Sequence, residues 1–116
     1  MNQTELNAIL KKHKLWLDDQ PGGKRANLTG ANLTRADFTG ANLDLASWPL
    51  WCGSLKAYVD DRIAIQLLYH TLSVVQYSPY VSQEIKEALL TDGNVDIANR
   101  FHRVEKCGRL SAYADI

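Results

Sequence analysis

The sequence is poor in the features that usually announce a chemical function. Neither charge is in surplus: 13 Lys and Arg stand against 13 Asp and Glu among 116 residues, for a formal net charge of zero. A generic nucleic-acid binder carries an excess of basic side chains, and a whole-molecule imitation of DNA would carry an excess of acids. Zero charge favours neither. Cysteine is scarce, and Cys52 and Cys107 lie in unlike contexts without C-x-x-C spacing. They read as a reduced pair of small core residues in preference to a disulfide. Long apolar runs are missing too. Gln66 interrupts the stretch from Ile63 to Tyr69, well short of the ~20 residues a membrane span needs. Met1 to Leu10 lacks the basic-then-apolar pattern of a secretory signal. The expectation is a soluble, cytoplasmic chain without membrane contact.

Catalytic signatures are equally absent. There is no H-E-x-x-H, no phosphate-binding loop, no G-x-G-x-x-G and no nucleophile elbow. No spacing brings Cys52 or Cys107 towards His13, His70 or His102, and neither cysteine has a second ligand nearby for zinc. The chain is read as non-enzymatic, with no catalytic residue, metal or cofactor.

What is present is a period. Residues 26–50 divide into Ala26-Asn-Leu-Thr-Gly30, Ala31-Asn-Leu-Thr-Arg35, Ala36-Asp-Phe-Thr-Gly40, Ala41-Asn-Leu-Asp-Leu45 and a decayed Ala46-Ser-Trp-Pro-Leu50. Alanine recurs at 26, 31, 36, 41 and 46, and a large apolar residue follows two places later: Leu28, Leu33, Phe38, Leu43 and Trp48. A period of five matches neither a helix nor a plain strand. A chain that turns a corner every five residues accounts for it. The alanine and the large residue point inward and the other three positions face water, with Gly30 and Gly40 suited to corners.

These residues resemble the pentapeptide-repeat family, whose motif is approximately Ala-(Asp/Asn)-Leu-x-x. The resemblance covers about 25 of the 116 residues. It implies a right-handed quadrilateral β-helix of a single coil, in which four repeats make one square turn. One coil cannot bury its own ends, so the flanks are expected to cap it.

The N-terminal flank reads as an amphipathic helix with Leu6, Ile9, Leu10, His13, Trp16 and Leu17 on one stripe, begun by a capping box of Asn2 and Glu5 and stopped at Pro21-Gly22-Gly23. His13 is read as a packing residue. After Trp51-Cys52-Gly53 the period turns helical. A long helix over about 55–76 carries Val59, Ile63, Leu67, Leu68, Leu72 and Val75; a second begins at Ser78-Pro79 with Val81, Ile85, Ala88 and Leu89 inward. A third, capped by Asn94, carries Ile97, Ala98, Phe101 and Val104 as far as Gly108. The expected organisation is one domain of mixed α and β class. It comprises a helix and turn (1–23), a repeat coil (24–53), a three-helix cluster (54–110) and a fraying tail (111–116).

The known action of long acidic proteins of this family, imitation of duplex DNA against topoisomerases, is implied only weakly. DNA carries one charge per roughly 1.7 Å of axis, whereas the outward coil positions hold two acids, Asp37 and Asp44, against Arg35. Residues 1–25 have five basic and three acidic side chains, residues 26–54 one and two, and residues 55–116 seven and eight. Direct nucleic-acid binding is not expected. A surface of both signs suits a protein or ribonucleoprotein partner better. The candidate surface comprises Asp60, Asp61, Arg100, Arg103 and Lys106, with Asp37 and Asp44 on the coil. Resemblance and size together imply a small phage or mobile-element inhibitor in a bacterial host cell, docking on a nucleic-acid-handling or defence complex as an anti-CRISPR protein does. Two alternatives are an assembly module that forms homo-oligomers through coil ends and a DNA-mimic topoisomerase inhibitor.

Overall fold

Asn2 starts the first helix through its side chain. In the computed structural model, which describes residues 1–116, Asn2 Oδ1 accepts the Glu5 N–H at 2.8 Å and Asn2 Nδ2 donates to Glu5 Oε1 at 2.9 Å. The pair satisfies an orphan donor at the head of α1 (Gln3–Leu17). The helix ends at Asp18, ahead of the proline, and Asp19 turns left-handed with φ 53°. The chain then doubles back, and Lys24 N–H donates to the Lys12 carbonyl at 3.0 Å. Gly23 passes so close to the helix that a Cβ there would run into the backbone of Trp16.

The chain divides into two compact units, Met1–Asp60 and Asp61–Ile116. In the first, Leu28, Leu33 and Phe38 are fully buried, and Ala26, Ala36 and Leu43 nearly so. Ala31, Ala41, Ala46 and Trp48 are half-buried. Each repeat ends in the same turn: Ala31, Ala36, Ala41 and Ala46 N–H donate to the carbonyls of Leu28, Leu33, Phe38 and Leu43. The second residue of each repeat props that turn. Asn27, Asn32 and Asp37 each accept the N–H and hydroxyl of the threonine two places on, at 2.6–3.1 Å, and Asn42 accepts Asp44 N–H. Such side-chain turns explain why the position is Asn or Asp.

The expected quadrilateral β-helix is overturned. The regular elements of the structure are helices; it has no strand and no sheet, only two isolated parallel bridges, Asn27 to Ser47 and Asp37 to Tyr58. The physical reason is brevity. Each side of the repeat offers a residue or two for pairing before the next turn, and the repeats make scarcely more than one circuit. The contacts are therefore single rungs: Leu28 N–H to the Ser47 carbonyl, Leu33 to Gly53, Phe38 to Tyr58. The spacing of these bridges also changes, from twenty residues at Asn27–Ser47 to twenty-one at Asp37–Tyr58. The extra residue lies between Ser47 and Gly53, because the Gly53 carbonyl already accepts Leu33 N–H in the later register, and a 3-10 turn, Cys52–Ser54, begins there. Tyr58 consequently lies beside outward-facing Asp37 and is exposed, where strict spacing would set it against Phe38. A Cβ at Gly53 would meet the Trp51 ring, which would have to shift to admit it.

Of the two glycines assigned to corners, only Gly40 has a left-handed φ. The other such corners are Arg35 (63°) and Leu45 (65°), not Gly30.

The second unit has four helices where three were expected: α2 (Asp61–Tyr77), α3 (Gln83–Leu89), α4 (Asp92–Ala98) and α5 (Val104–Cys107). Val59 precedes α2 instead of lying within it. Ser82, not Ser78, caps α3, and Thr91, not Asn94, caps α4, each by accepting an N–H three residues on. The expected last helix is broken between Asn99 and Arg103. The core is Tyr69, Leu72, Val75, Leu90, Val95, Ala98, Phe101, Val104, Leu110 and Ala112. Tyr69 and Phe101 stack at 4.6 Å, and such a pair adds about 0.5–1.5 kcal/mol beyond burial. The tail is tied down. The Asn99 amide exchanges two hydrogen bonds with the Leu110 backbone, Ser111 N–H donates to Gln76 Oε1, and Tyr113 N–H to the Leu90 carbonyl.

Candidate interaction surface

On α2, Asp61, Ala64, Ile65 and Leu68 fall at i, i+3, i+4 and i+7 and share one face. On α4 and the turn after it, Ile97 and Arg100 are three apart. Together these six side chains line a cleft of about 330 Å³ within the second unit. Its apolar part is Ala64, Ile65, Leu68 and Ile97, and its charged groups are one acid and one arginine. Arg100 N–H still donates to the Ile97 carbonyl. This keeps near-helical geometry past the end of α4 and lets the guanidinium reach Asp96 Oδ2 at 2.7 Å. An exposed pair four residues apart contributes only about 0.3–0.5 kcal/mol, so Arg100 can turn to another carboxylate at little cost.

The structure brings Asp61 and Arg100 of the sequence candidates to this one cleft and puts the others elsewhere. Arg103 is half-buried at the start of α5, and Lys106 is exposed within it. Asp60, Asp37 and Asp44 belong to the first unit. Asp60 Oδ2 accepts Gly40 N–H at 2.8 Å, holding a repeat corner. The Asp37 carboxylate is held below the usual carboxylate range by the hydrogen bond from the Thr39 hydroxyl, then by that from the Thr39 N–H. The Asp37 backbone is clamped at both N–H and carbonyl by the amide of Gln3, at 2.9 Å each. The Asp44 carbonyl accepts His13 Nε2–H at 2.8 Å.

Sequence reasoning missed Ile97 as a surface residue, because it was assigned to the core of a longer helix. It is exposed, as are Ile85 and Leu89 of α3. Both cysteines are free and exposed, contrary to the core placement expected for them. His70 Nδ1 bonds the Gln66 carbonyl within its own helix at 2.7 Å. No group of three His, Cys, Asp or Glu side chains is placed to hold a metal ion. No helix is long and apolar enough to cross a membrane.

Residues 24–47 match the family model described as pentapeptide repeats (8 copies). That segment, 24 of the 116 residues, is thus similar to pentapeptide repeats. No curated protein and no solved structure matches it.

Proposed function

We propose that this chain is a non-catalytic protein-binding module and that a protein partner docks at the α2–α4 cleft. The supporting observation is that Asp61 and Arg100 line one cleft with Ile65, Leu68 and Ile97. Apolar area supplies the gain from removing water. An acid and a base on the same cleft set orientation and reject partners of uniform charge. A phosphate backbone would meet Asp61 and Asp96 as well as Arg100, which disfavours nucleic acid as the direct ligand. The more specific proposal, an inhibitor of phage or mobile-element type that acts on a nucleic-acid-handling or defence complex in the bacterial cytoplasm, rests on size and family resemblance.

The test is capture from a bacterial lysate treated with nuclease, comparing the wild-type chain with Asp61→Arg and Arg100→Glu. Circular dichroism would confirm that both variants are folded. Recovery of a nuclease or topoisomerase complex by the wild-type chain and its loss in both variants is the expected result. Recovery that is equal for all three chains would overturn the cleft as the docking site. Recovery only from untreated lysate would show that nucleic acid bridges the two.

A second reading, self-association through the repeat unit, is favoured by Leu50, Trp51, Leu55 and Tyr58, all exposed at the end of that unit. Light scattering decides it. A clean monomer at high concentration removes this reading, and Leu50→Ser/Leu55→Ser should dissociate any dimer.

A further inference from the structure

Helix α3 buries none of its residues, which is unusual for a helix with so much apolar surface. Ile85, Ala88 and Leu89 are at i, i+3 and i+4 and form one stripe. Ile85 is 45% and Leu89 36% exposed. Seven residues without a buried face are too few for a stable isolated helix. What holds α3 is its ends and one polar row: Ser82 caps it, Leu90 is buried at its close, and Lys86 Nζ donates to the Gln76 carbonyl at 3.3 Å. The aromatic residues leading into the helix are exposed as well, Tyr77 at 89% and Tyr80 at 95%.

The charge around this stripe is mainly acidic. Glu84, four residues before Ala88, borders the stripe on α3, Glu87 lies further round the helix, and both are exposed. Asp92 follows the helix directly, and the 3-10 turn that packs against α3, Tyr113–Asp115, adds an exposed Asp115. The one cation on α3, Lys86, is committed to the Gln76 carbonyl.

We propose that the α3 face is a second docking surface, distinct from the α2–α4 cleft, and that its partner is a basic amphipathic helix of another protein. Leucine-sized side chains of such a helix would cover Ile85, Ala88 and Leu89, and its Lys or Arg rows would meet Glu84, Glu87 and Asp92. Apolar anchors at i, i+3 and i+4 on α3 match the spacing on the apolar face of such a helix. Exposed tyrosines at the margin add rigid contact area. An acidic peptide, by contrast, would face three carboxylates with no free lysine.

The probe is a fluorescent amphipathic peptide of Leu and Lys, with two controls: the same pattern with Glu for Lys, and the same composition in scrambled order. Anisotropy with the full chain should show binding of the patterned basic peptide alone. Ile85→Ser/Leu89→Ser and, separately, Glu84→Lys/Glu87→Lys should each weaken it about tenfold or more, the scale of losing an interface anchor. Asp61→Arg, in the cleft, should leave it unchanged, so failure of this surface is distinguishable from failure of the cleft. Amide shifts on binding should centre on residues 77–92. Glu84→Lys/Glu87→Lys, at exposed positions, should keep the wild-type melting temperature, whereas Ile85→Ser/Leu89→Ser, which removes partly covered apolar side chains, should lower it while leaving the chain folded. The proposal is overturned if the scrambled or acidic peptide binds equally well, or if binding survives both α3 variants.

Discussion

His13 Nδ1 accepts the backbone N–H of Ala26 at 3.0 Å in the buried interior of the repeat unit. Since Ala26 N–H can only donate, Nδ1 carries no proton. Nε2 therefore carries it and donates to the Asp44 carbonyl. One side chain of α1 thus joins the first repeat to the fourth. Nitrogen-15 spectra should show a protonated Nε2 and a bare Nδ1. Replacing His13 with Ala would leave the buried Ala26 N–H without its acceptor, remove a donor from the part-buried Asp44 carbonyl and leave a void, and should cost about 3 kcal/mol or more in denaturant unfolding. His13→Asn, too short to reach both partners, should recover little of that.

Asp37 provides a direct readout of the repeat turn. Its carboxyl should titrate below the ordinary value of 3.8, because Thr39 donates to the charged form. A folded value that is depressed contributes stability that is present above the unfolded value and lost as pH falls through the folded one. Carbon-13 titration of the side chain checks this. In Thr39→Ala the midpoint should move back towards the ordinary value, though not fully, since the Thr39 N–H bond remains.

Tyr69 shifts the other way. Burial raises its phenol above the usual 10.0, helped by nearby Cys107, and its hydroxyl donates to the Gly108 carbonyl at 2.6 Å. Here the unfolded chain ionises first. The contribution to stability is therefore intact below the ordinary value and lost as pH rises past it. In an ultraviolet titration, Tyr69 should give a late phase above the ordinary value. Tyr69→Phe should remove the late phase.

Two backbone sites should respond to substitution in opposite directions. Gly23→Ala forces a methyl into the Trp16 backbone and should destabilise by about 1–3 kcal/mol, as overpacking does. Leu45 is 59% exposed and left-handed. Leu45→Gly relieves that conformation and should gain up to about 1 kcal/mol after the entropy of glycine is counted. Thermal melts of both variants give the comparison.

Much of the repeat was legible because a period of five admits few explanations. The spacing of alanine and leucine located the buried Leu28, Leu33 and Phe38. The resemblance then led too far, to a sheet-forming coil, because motif matches do not count how many rungs a short segment can complete. Asn27, Asn32 and Asp37 carried a readable signal that was passed over: a side-chain acceptor two residues before a threonine. The break after Ala98 could not be read. Turns that join Phe101 N–H to Ala98 and Val104 N–H to Phe101 repeat every three residues, so the apolar spacing imitates a continuing helix. Ile85, Leu89 and Ile97 illustrate a further limit. Periodicity tells which side chains share a face, but not whether anything covers that face.

A chain that meets itself again after twenty residues cannot change length freely. Inserting five residues between Asn27 and Ser47 would hand every later residue to a different neighbour, whereas inserting twenty would restore the pairing. The single extra residue before Tyr58 shows how smaller changes are absorbed: one aromatic ring moves from inside to outside. Length variants of this segment should therefore survive in steps of a whole circuit. Random insertions scored by protease resistance should be tolerated at the Thr-Gly corners in twenties, and rarely otherwise.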